Sequence, residues 1–277
     1  MTTLVLQGAG LTASVAQDIC QQLNGQLKPN TDFSTISCTQ AVSAEQLSEL
    51  RQHYAFDINA IPEQFEPSKA ALLVTDMDST LISIECVDEI AGFINAKAEV
   101  SAITEAAMRG DIDFETSLRQ RVALLKGLDV SVLEQVFEQR LRLNPGAEVM
   151  LKGLKQKGIK TALVSGGFTF FTERLKKQLG LDYTLANVLA EKDGKLTGEV
   201  AGDICGAQAK ADFLIQHCEK LGVSPSQVIA MGDGANDLLM MKEAGLSIAY
   251  HAKPKVQLEA QGVLNYCGLE GVLGMLQ

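Results

Sequence analysis

The chain has 277 residues, 46% of them hydrophobic and 21% charged, with a formal charge of −10; this is a globular composition, long enough for one large domain or two, and it excludes a disordered chain. The acidic balance argues against a nucleic-acid partner, which needs a basic face to displace counterions from phosphates. No apolar run approaches the ~18 residues of a membrane span, and the first 20 residues lack a signal peptide's basic start and apolar stretch, so a cytoplasmic protein with no membrane partner is expected.

Residues 1–66 open with a short apolar run (Leu4, Val5, Leu6) and a Gly8-Ala9-Gly10 turn, followed by helical stretches over 12–23 and 43–54. A small α+β module is expected there. Pro62 and Pro67 bracket a linker over 61–68, because proline bars both helix continuation and sheet pairing. A second domain is expected from about Lys69.

From there short continuous apolar runs alternate with helical stretches, the signature of a parallel sheet buried on both faces. The spacing predicts strands over 70–75, 160–164, 228–231, 246–250 and 263–266. Small and polar loops follow the first three: Asp76-Met77-Asp78-Ser79-Thr80, Ser165-Gly166-Gly167 and Gly232-Asp233-Gly234-Ala235-Asn236-Asp237. In open α/β sheets, ligands bind at those carboxyl ends. Two insertions are expected: a helical subdomain over 85–142, and a hairpin turning at Asp193-Gly194 between 185–192 and 195–200. The core is then 69–84 together with 143–277. Six scattered cysteines without a CxxC, and three histidines clustered with none of them, read as reduced thiols and no structural zinc.

Asp76, Asp78, Asp233 and Asp237 can therefore converge on one sheet edge. Each alone reads equally well as a helix cap or Asx turn. Together they repel unless a lysine and a hard cation join them, and oxygen-only ligation without imidazole favours Mg²⁺ over zinc. Ser165-Gly166-Gly167 alone could be only a tight turn, and Lys210 alone is uninformative.

The Asp76-Met77-Asp78-Ser79-Thr80 run matches the DxDxT signature of the haloacid-dehalogenase superfamily, and Ser165, Lys210 and Gly232-Asp233-Gly234-Ala235-Asn236-Asp237 resemble its later motifs, in order. Among its families the chain most resembles the phosphoserine phosphatases. Glu85-Cys86-Val87-Asp88-Glu89-Ile90-Ala91, Ser117-Leu118-Arg119-Gln120-Arg121-Val122, Val164-Ser165-Gly166-Gly167-Phe168 and Ala249-Tyr250-His251-Ala252-Lys253-Pro254 carry that closer likeness, over about residues 70–277.

The resemblance implies a Rossmann-like parallel core with a helical cap, and Mg²⁺-dependent hydrolysis of O-phosphoserine to serine and phosphate, the last step of serine biosynthesis. It implies Asp76 as nucleophile, which needs no histidine base because a carboxylate is already ionised. Asp78 would be the acid and then the base. Asp76, the Asp78 carbonyl, Asp233 and Asp237, the last directly or through water, would hold Mg²⁺. Ser165, the Gly166 amide and Lys210 would bind phosphate oxygens, where charge spreads in a loose transition state, and Asn236 would orient the phosphate. Thr80 is expected to serve the loop's structure, by bonding a nearby carbonyl or capping it.

Asp113 is a good N-cap for a helix with Phe114, Leu118 and Leu125 on one stripe. At about 100° per residue Arg121 falls on that stripe and Arg119 well off it. An arginine there either snorkels to the rim or binds a buried anion. The resemblance implies the second: Arg121 clamping the substrate carboxylate, Glu85 receiving its ammonium, and Phe114 and Met108 forming an apolar wall. His251 and Lys253 are given no role, and Cys86 reads as packing.

Two other readings stay open at this point. One is a phosphatase for another small phosphomonoester, such as phosphohomoserine, since one methylene separates such substrates weakly. The other is a phospho-aspartate regulatory protein, against which Asp78, poised to activate water, counts. Residues 1–66 have some likeness to an ACT-type amino-acid-binding module, and pairing into a homodimer is left open.

Overall fold

The structure, a computed structural model, describes residues 2–109 and 111–277, with nothing stated of the side chains of Met108 and Arg109. The N-terminal segment forms β1 (Thr2–Gln7), α1 (Ala13–Gln22), β2 (Gly25–Pro29), β3 (Phe33–Cys38), α2 (Ala44–His53) and β4 (Asp57–Ile61), with an antiparallel sheet in the order β2-β3-β1-β4. Both helices start where the sequence marks a cap. Thr12 Oγ1 accepts the Val15 N–H at 3.3 Å, and Ser43 and Gln46 form a reciprocal capping box. The strands β2, β3 and β4 were not foreseen. In β3 the inward residues are Ser34, Ile36 and Cys38, too weakly apolar to stand out as a strand.

The second sheet has seven strands in the order β11-β10-β9-β5-β6-β7-β8. Its members are β5 (Leu72–Thr75), β6 (Lys160–Phe168), β7 (Tyr183–Lys192), β8 (Lys195–Ala201), β9 (Val228–Gly232), β10 (Leu246–Tyr250) and β11 (Gly262–Leu264). All neighbours run parallel except β7 and β8. β5, β9 and β10 are buried at every position, which is why they read as unbroken apolar runs. Three expectations change. β6 continues through Ser165-Gly166-Gly167 to Phe168, with a register shift after Val164 that the glycines permit. β11 stops at Leu264 because the next N–H groups, on Asn265, Tyr266 and Cys267, turn to the Asp57 carboxylate. The hairpin is not an insertion: β7 pairs with β6 inside the main sheet and β8 is its antiparallel edge, with Asp193 (φ 52°) and Gly194 (φ 75°) at the turn.

Residues 85–142 hold α3 (Cys86–Gly92), α4 (Lys97–Arg109), α5 (Phe114–Ala123) and α6 (Ser131–Gln139). This helical layer meets the sheet where Gly127 donates to Leu196 O at 2.8 Å and Val130 to Gly194 O at 3.0 Å. Its two connecting segments are tied together. Ser83 N–H bonds Arg142 O at 2.9 Å, and Asn144 Nδ2 donates to Thr80 O at 2.8 Å and Ile82 O at 3.1 Å. The helices α7 (Ala147–Gln156), α8 (Thr169–Leu179), α9 (Ala207–Leu221), α10 (Leu238–Glu243), α11 (Pro254–Glu259) and α12 (Gly271–Gly274) complete the chain.

Candidate active site

Because β9, β5 and β6 are adjacent and parallel at the centre of the sheet, the loops after them meet on one edge. The Asp76 N–H bonds Met231 O at 2.9 Å, which seats the end of β5 against β9. In the following turn Asp78 is extended and Ser79 adopts φ 58°. A left-handed serine costs roughly 1–2 kcal/mol, so something must hold it. Its Oγ donates to Glu85 Oε1 at 2.7 Å and its N–H to Ile84 O at 3.3 Å. Thr80, fully buried, donates its hydroxyl to Asp233 Oδ1 at 3.4 Å rather than to a carbonyl, which ties the first loop to the third.

Lys210, on the first turns of α9, is fully buried; its Nζ contacts Asp76 Oδ1 directly and Asp237 Oδ1 at 2.7 Å. Burial alone would lower this ammonium's pKa, but Asp237 and Asp76 outweigh it and hold it raised, so the lysine stays charged. Burial raises the Asp76 carboxyl well above the usual range, with Lys210 pulling it down and Asp237 adding to the rise. Burial, and then Asp237, push Asp233 up to about 6. Oxygens of Asp76, Asp233 and Asp237 lie within 4.8 Å of one another. Three carboxylates against one ammonium leave an acidic, all-oxygen cluster that fits a hard cation. The site leaves no room for larger residues: a Cβ on Gly232 would lie 2.3 Å from Asp237 Oδ2.

The β6 bulge presents Ser165, Gly166 and Gly167 beside this cluster. Ser165 Oγ accepts the Gly167 N–H at 2.8 Å. The buried Asn187 clamps the bulge from β7: its Nδ2 donates to Gly166 O and its Oδ1 accepts the Cys205 N–H, both at 2.8 Å. A Cβ on Gly167 would meet Asp78 Oδ2 at 2.8 Å, so only glycine lets the bulge approach that carboxylate. Asp78 Oδ1 accepts the Cys86 N–H at 3.1 Å, and burial with Glu85 beside it pushes this carboxyl up to about 7. Cys86 itself is fully buried.

A cavity of about 410 Å³ opens over these groups, roofed by the helical layer. Asp76, Asp78, Ser165, Gly166, Asp233 and Asn236 line it from the sheet, and Glu85, Phe114 and Arg121 from the helices. Lys210 and Asp237 lie beneath its floor at 0% exposure. Asp113 caps α5 through the Thr116 N–H at 2.7 Å, Leu118 and Leu125 are buried, and Arg121 Nε donates to Ser117 O at 3.4 Å. Arg119 is exposed and pairs with Glu115 at 2.8 Å. The Met108 side chain lies outside the described residues. The cavity also takes in Ser79, Asp88, Ser117 and Lys253, which sequence reasoning gave no part in it. For Lys253 the signal was available: its loop follows β10, and its N–H bonds Asp233 O at 3.1 Å.

A larger groove of about 550 Å³ lies between α2 and α11, but Gln257 and Gln261 on its wall are hydrogen-bonded within the protein. No described helix is long and apolar enough to cross a membrane.

Comparison with known proteins agrees with this geometry. The haloacid dehalogenase-like hydrolase family matches residues 70–245. A phosphoserine phosphatase of Polaromonas sp. (strain JS666) is 54% identical over 225 residues, 79% of this chain and 95% of that protein. The unliganded crystal structure of a probable phosphoserine phosphatase from Vibrio cholerae superposes with a TM-score of 0.84 at 38% identity, covering 99% of this chain and 86% of that one. A structure of a phospho-aspartyl intermediate analogue of phosphoserine phosphatase superposes at 0.71 with 42% identity, over 75% of this chain and 99% of that one.

Proposed function

The chain belongs to the haloacid dehalogenase-like hydrolases and, among them, to the phosphoserine phosphatase family, and on that premise we propose that it hydrolyses O-phosphoserine to serine and phosphate. The observation that carries the reading is one cavity holding two kinds of group. Asp76, against Lys210, lies on its floor, and Arg121 with Glu85 lies under its roof. The first pair suits a phosphoryl group and the second an α-amino acid.

In this reading an Asp76 carboxylate oxygen attacks phosphorus, the bond to the seryl oxygen breaks, and Asp78 gives its proton to that oxygen. Asp78 then takes a proton from the water that attacks the aspartyl-phosphate, releasing phosphate and restoring Asp76. A carboxyl poised at about 7 can both give and take that proton near neutral pH. Ser165, the Gly166 N–H and Lys210 hold the equatorial oxygens, and Asn236 orients the phosphate. Asp76, Asp233 and Asp237, with the Asp78 carbonyl, are the residues that would hold Mg²⁺. When bound, the ion supplies positive charge to nucleophile and phosphate together. Arg121 takes the substrate carboxylate in a planar fork, Glu85 takes the ammonium, and Phe114 excludes water. The accompanying division is a module over 1–66, a core over 69–84 and 143–277, and a cap over 85–142, in a chain whose composition supports a cytoplasmic setting.

The test is phosphate release from O-phosphoserine with Mg²⁺, after EDTA, and after Mg²⁺ is restored. Asp76→Asn should lower kcat by about 10⁴ or more while the protein stays folded. Steady turnover by that variant, or full activity in chelator, would overturn the mechanism. Faster release from phosphohomoserine or from sugar phosphates would move the substrate assignment.

A further inference from the structure

α3 begins right after Glu85 and carries Asp88 and Glu89 in its first turn. Residues three apart on a helix share a face, so Asp88 belongs beside Glu85 at the cavity. Glu89 is taken up elsewhere, by Lys97 at 2.9 Å. Asp88 is half-buried, lines the cavity, and makes no hydrogen bond or ion pair among the described residues. Arg121 and then Lys97 are the positive charges that act on it, but neither is bonded to it, so its oxygens are open to a ligand's donors. Arg121 lines the same cavity from α5, its Nε bonded to Ser117 O, while no described group accepts from its terminal nitrogens.

A zwitterionic amino acid makes a specific demand here. Its ammonium has three donors, and Glu85 already spends Oε1 on the Ser79 hydroxyl. A single carboxylate does not meet all three donors in good geometry, which leaves a place for a second acceptor beside Glu85. We infer that Asp88 is that acceptor: with Glu85 it grips the substrate ammonium, and so selects α-amino acid phosphomonoesters over carboxylate-only ones. The inference rests on the proposed phosphoserine reading and deepens it. Two acids facing one arginine repel a second anionic group, so a substrate with a carboxylate but no ammonium meets an uncompensated charge.

Asp88→Asn keeps shape and removes charge, and kcat/KM, or a competitive Ki where turnover is slow, reads the effect with three compounds. O-Phosphoserine has both groups, phosphoethanolamine only the ammonium, and 3-phosphoglycerate a carboxylate with hydroxyl in place of ammonium. The variant should lose about 10- to 100-fold on the first two, mostly through KM, and lose nothing or gain on the third, whose carboxylate meets less repulsion. Asp88→Glu, which restores the charge on a longer stem, should recover part of the loss. An unchanged preference, or a loss confined to 3-phosphoglycerate and phosphoserine, would overturn the inference, the second because Asp88 would then act through Arg121. An unchanged circular dichroism spectrum of Asp88→Asn checks the fold. If the unsubstituted enzyme itself fails on O-phosphoserine, the proposed function is at fault rather than the role of Asp88.

Discussion

The Asn59 carboxamide pairs with both backbone groups of Val263, donating to its carbonyl at 2.9 Å and accepting its N–H at 2.7 Å, as a neighbouring strand would. Asn59 is fully buried, and two positions away Asp57 accepts the N–H groups of Asn265, Tyr266 and Cys267. The edge strand β11 is thus finished by side chains of β4. Asn59→Ala would leave two buried backbone groups unpaired, at about 1–3 kcal/mol each, and should lower Tm by about 5 °C or more. Deleting residues 1–66 should lower it further but leave turnover measurable in the cold, since no cavity-lining side chain comes from that segment. Calorimetry with activity assays at 10 °C decides it: a truncation with unchanged Tm, or one that is folded and inactive, would contradict this account.

A Cβ on Gly166 would lie 2.9 Å from Phe114 Cζ, so the cap rests on the β6 bulge at that point. Gly166→Ala should therefore hold the cap off the core and cut kcat/KM for phosphoserine by about 10-fold or more. Phe114→Leu, added to it, frees the space and should return part of the loss. A double-mutant cycle measures this, and strictly additive losses would separate the two residues.

How much of this was legible follows from what each residue depends on. β5, β9 and β10 announce themselves because burial on both faces demands an unbroken apolar run. β3 does not, since Phe33-Ser34-Thr35-Ile36-Ser37-Cys38 becomes a strand only by pairing with β1 on one side and β2 on the other. The acids of the post-strand loops could be picked out by position. Lys210 could not be picked out locally: nothing on α9 marks a lysine whose partners lie 134 and 27 residues away. Only family resemblance singled it out. Asn187 had neither aid, because its clamp exists only where β7 meets the bulge, and Asp88 stood in a stretch of family likeness that marked no role for it.

The acidic cluster has a pH signature of its own. Asp78 at about 7 and Asp233 at about 6 lie above the unfolded value near 4, so the folded protein binds the extra protons. Their contribution to stability is then greatest below about pH 4 and falls as pH rises through 6 and 7. A cation on the deprotonated cluster opposes that fall. Mg²⁺ should raise the Tm of metal-stripped protein by a few degrees at pH 8 and much less at pH 5.5. Asp78→Asn with Asp233→Asn should flatten the difference. Equal Mg²⁺ effects at both pH values would break the link between these carboxyls and the ion.

Arg121 and Arg119 sit two residues apart on α5 and test amino-acid recognition against generic phosphatase chemistry. Arg121 faces the cavity with burial lowering its pKa, while Asp88, Glu85 and Asp78 raise it; Arg119 stands in solvent beside Glu115. A carboxylate clamp is remote from phosphorus, so its loss should weaken positioning more than phosphoryl activation. A charged hydrogen bond lost from a partly buried pocket costs roughly 2–4 kcal/mol, about 30- to 1000-fold in kcat/KM. Arg121→Ala should show that loss on phosphoserine and far less on phosphoethanolamine or p-nitrophenyl phosphate, which have no carboxylate to clamp. Arg119→Ala should change neither by more than about 2-fold, since exposed i,i+4 pairs contribute only about 0.3–0.5 kcal/mol. Measuring both variants on both kinds of substrate separates the possibilities. Equal losses for Arg121→Ala on carboxylate-bearing and carboxylate-free esters would mean that Arg121 supports the cap or the phosphate, and the choice of phosphoserine would then have to rest on Glu85 and Asp88.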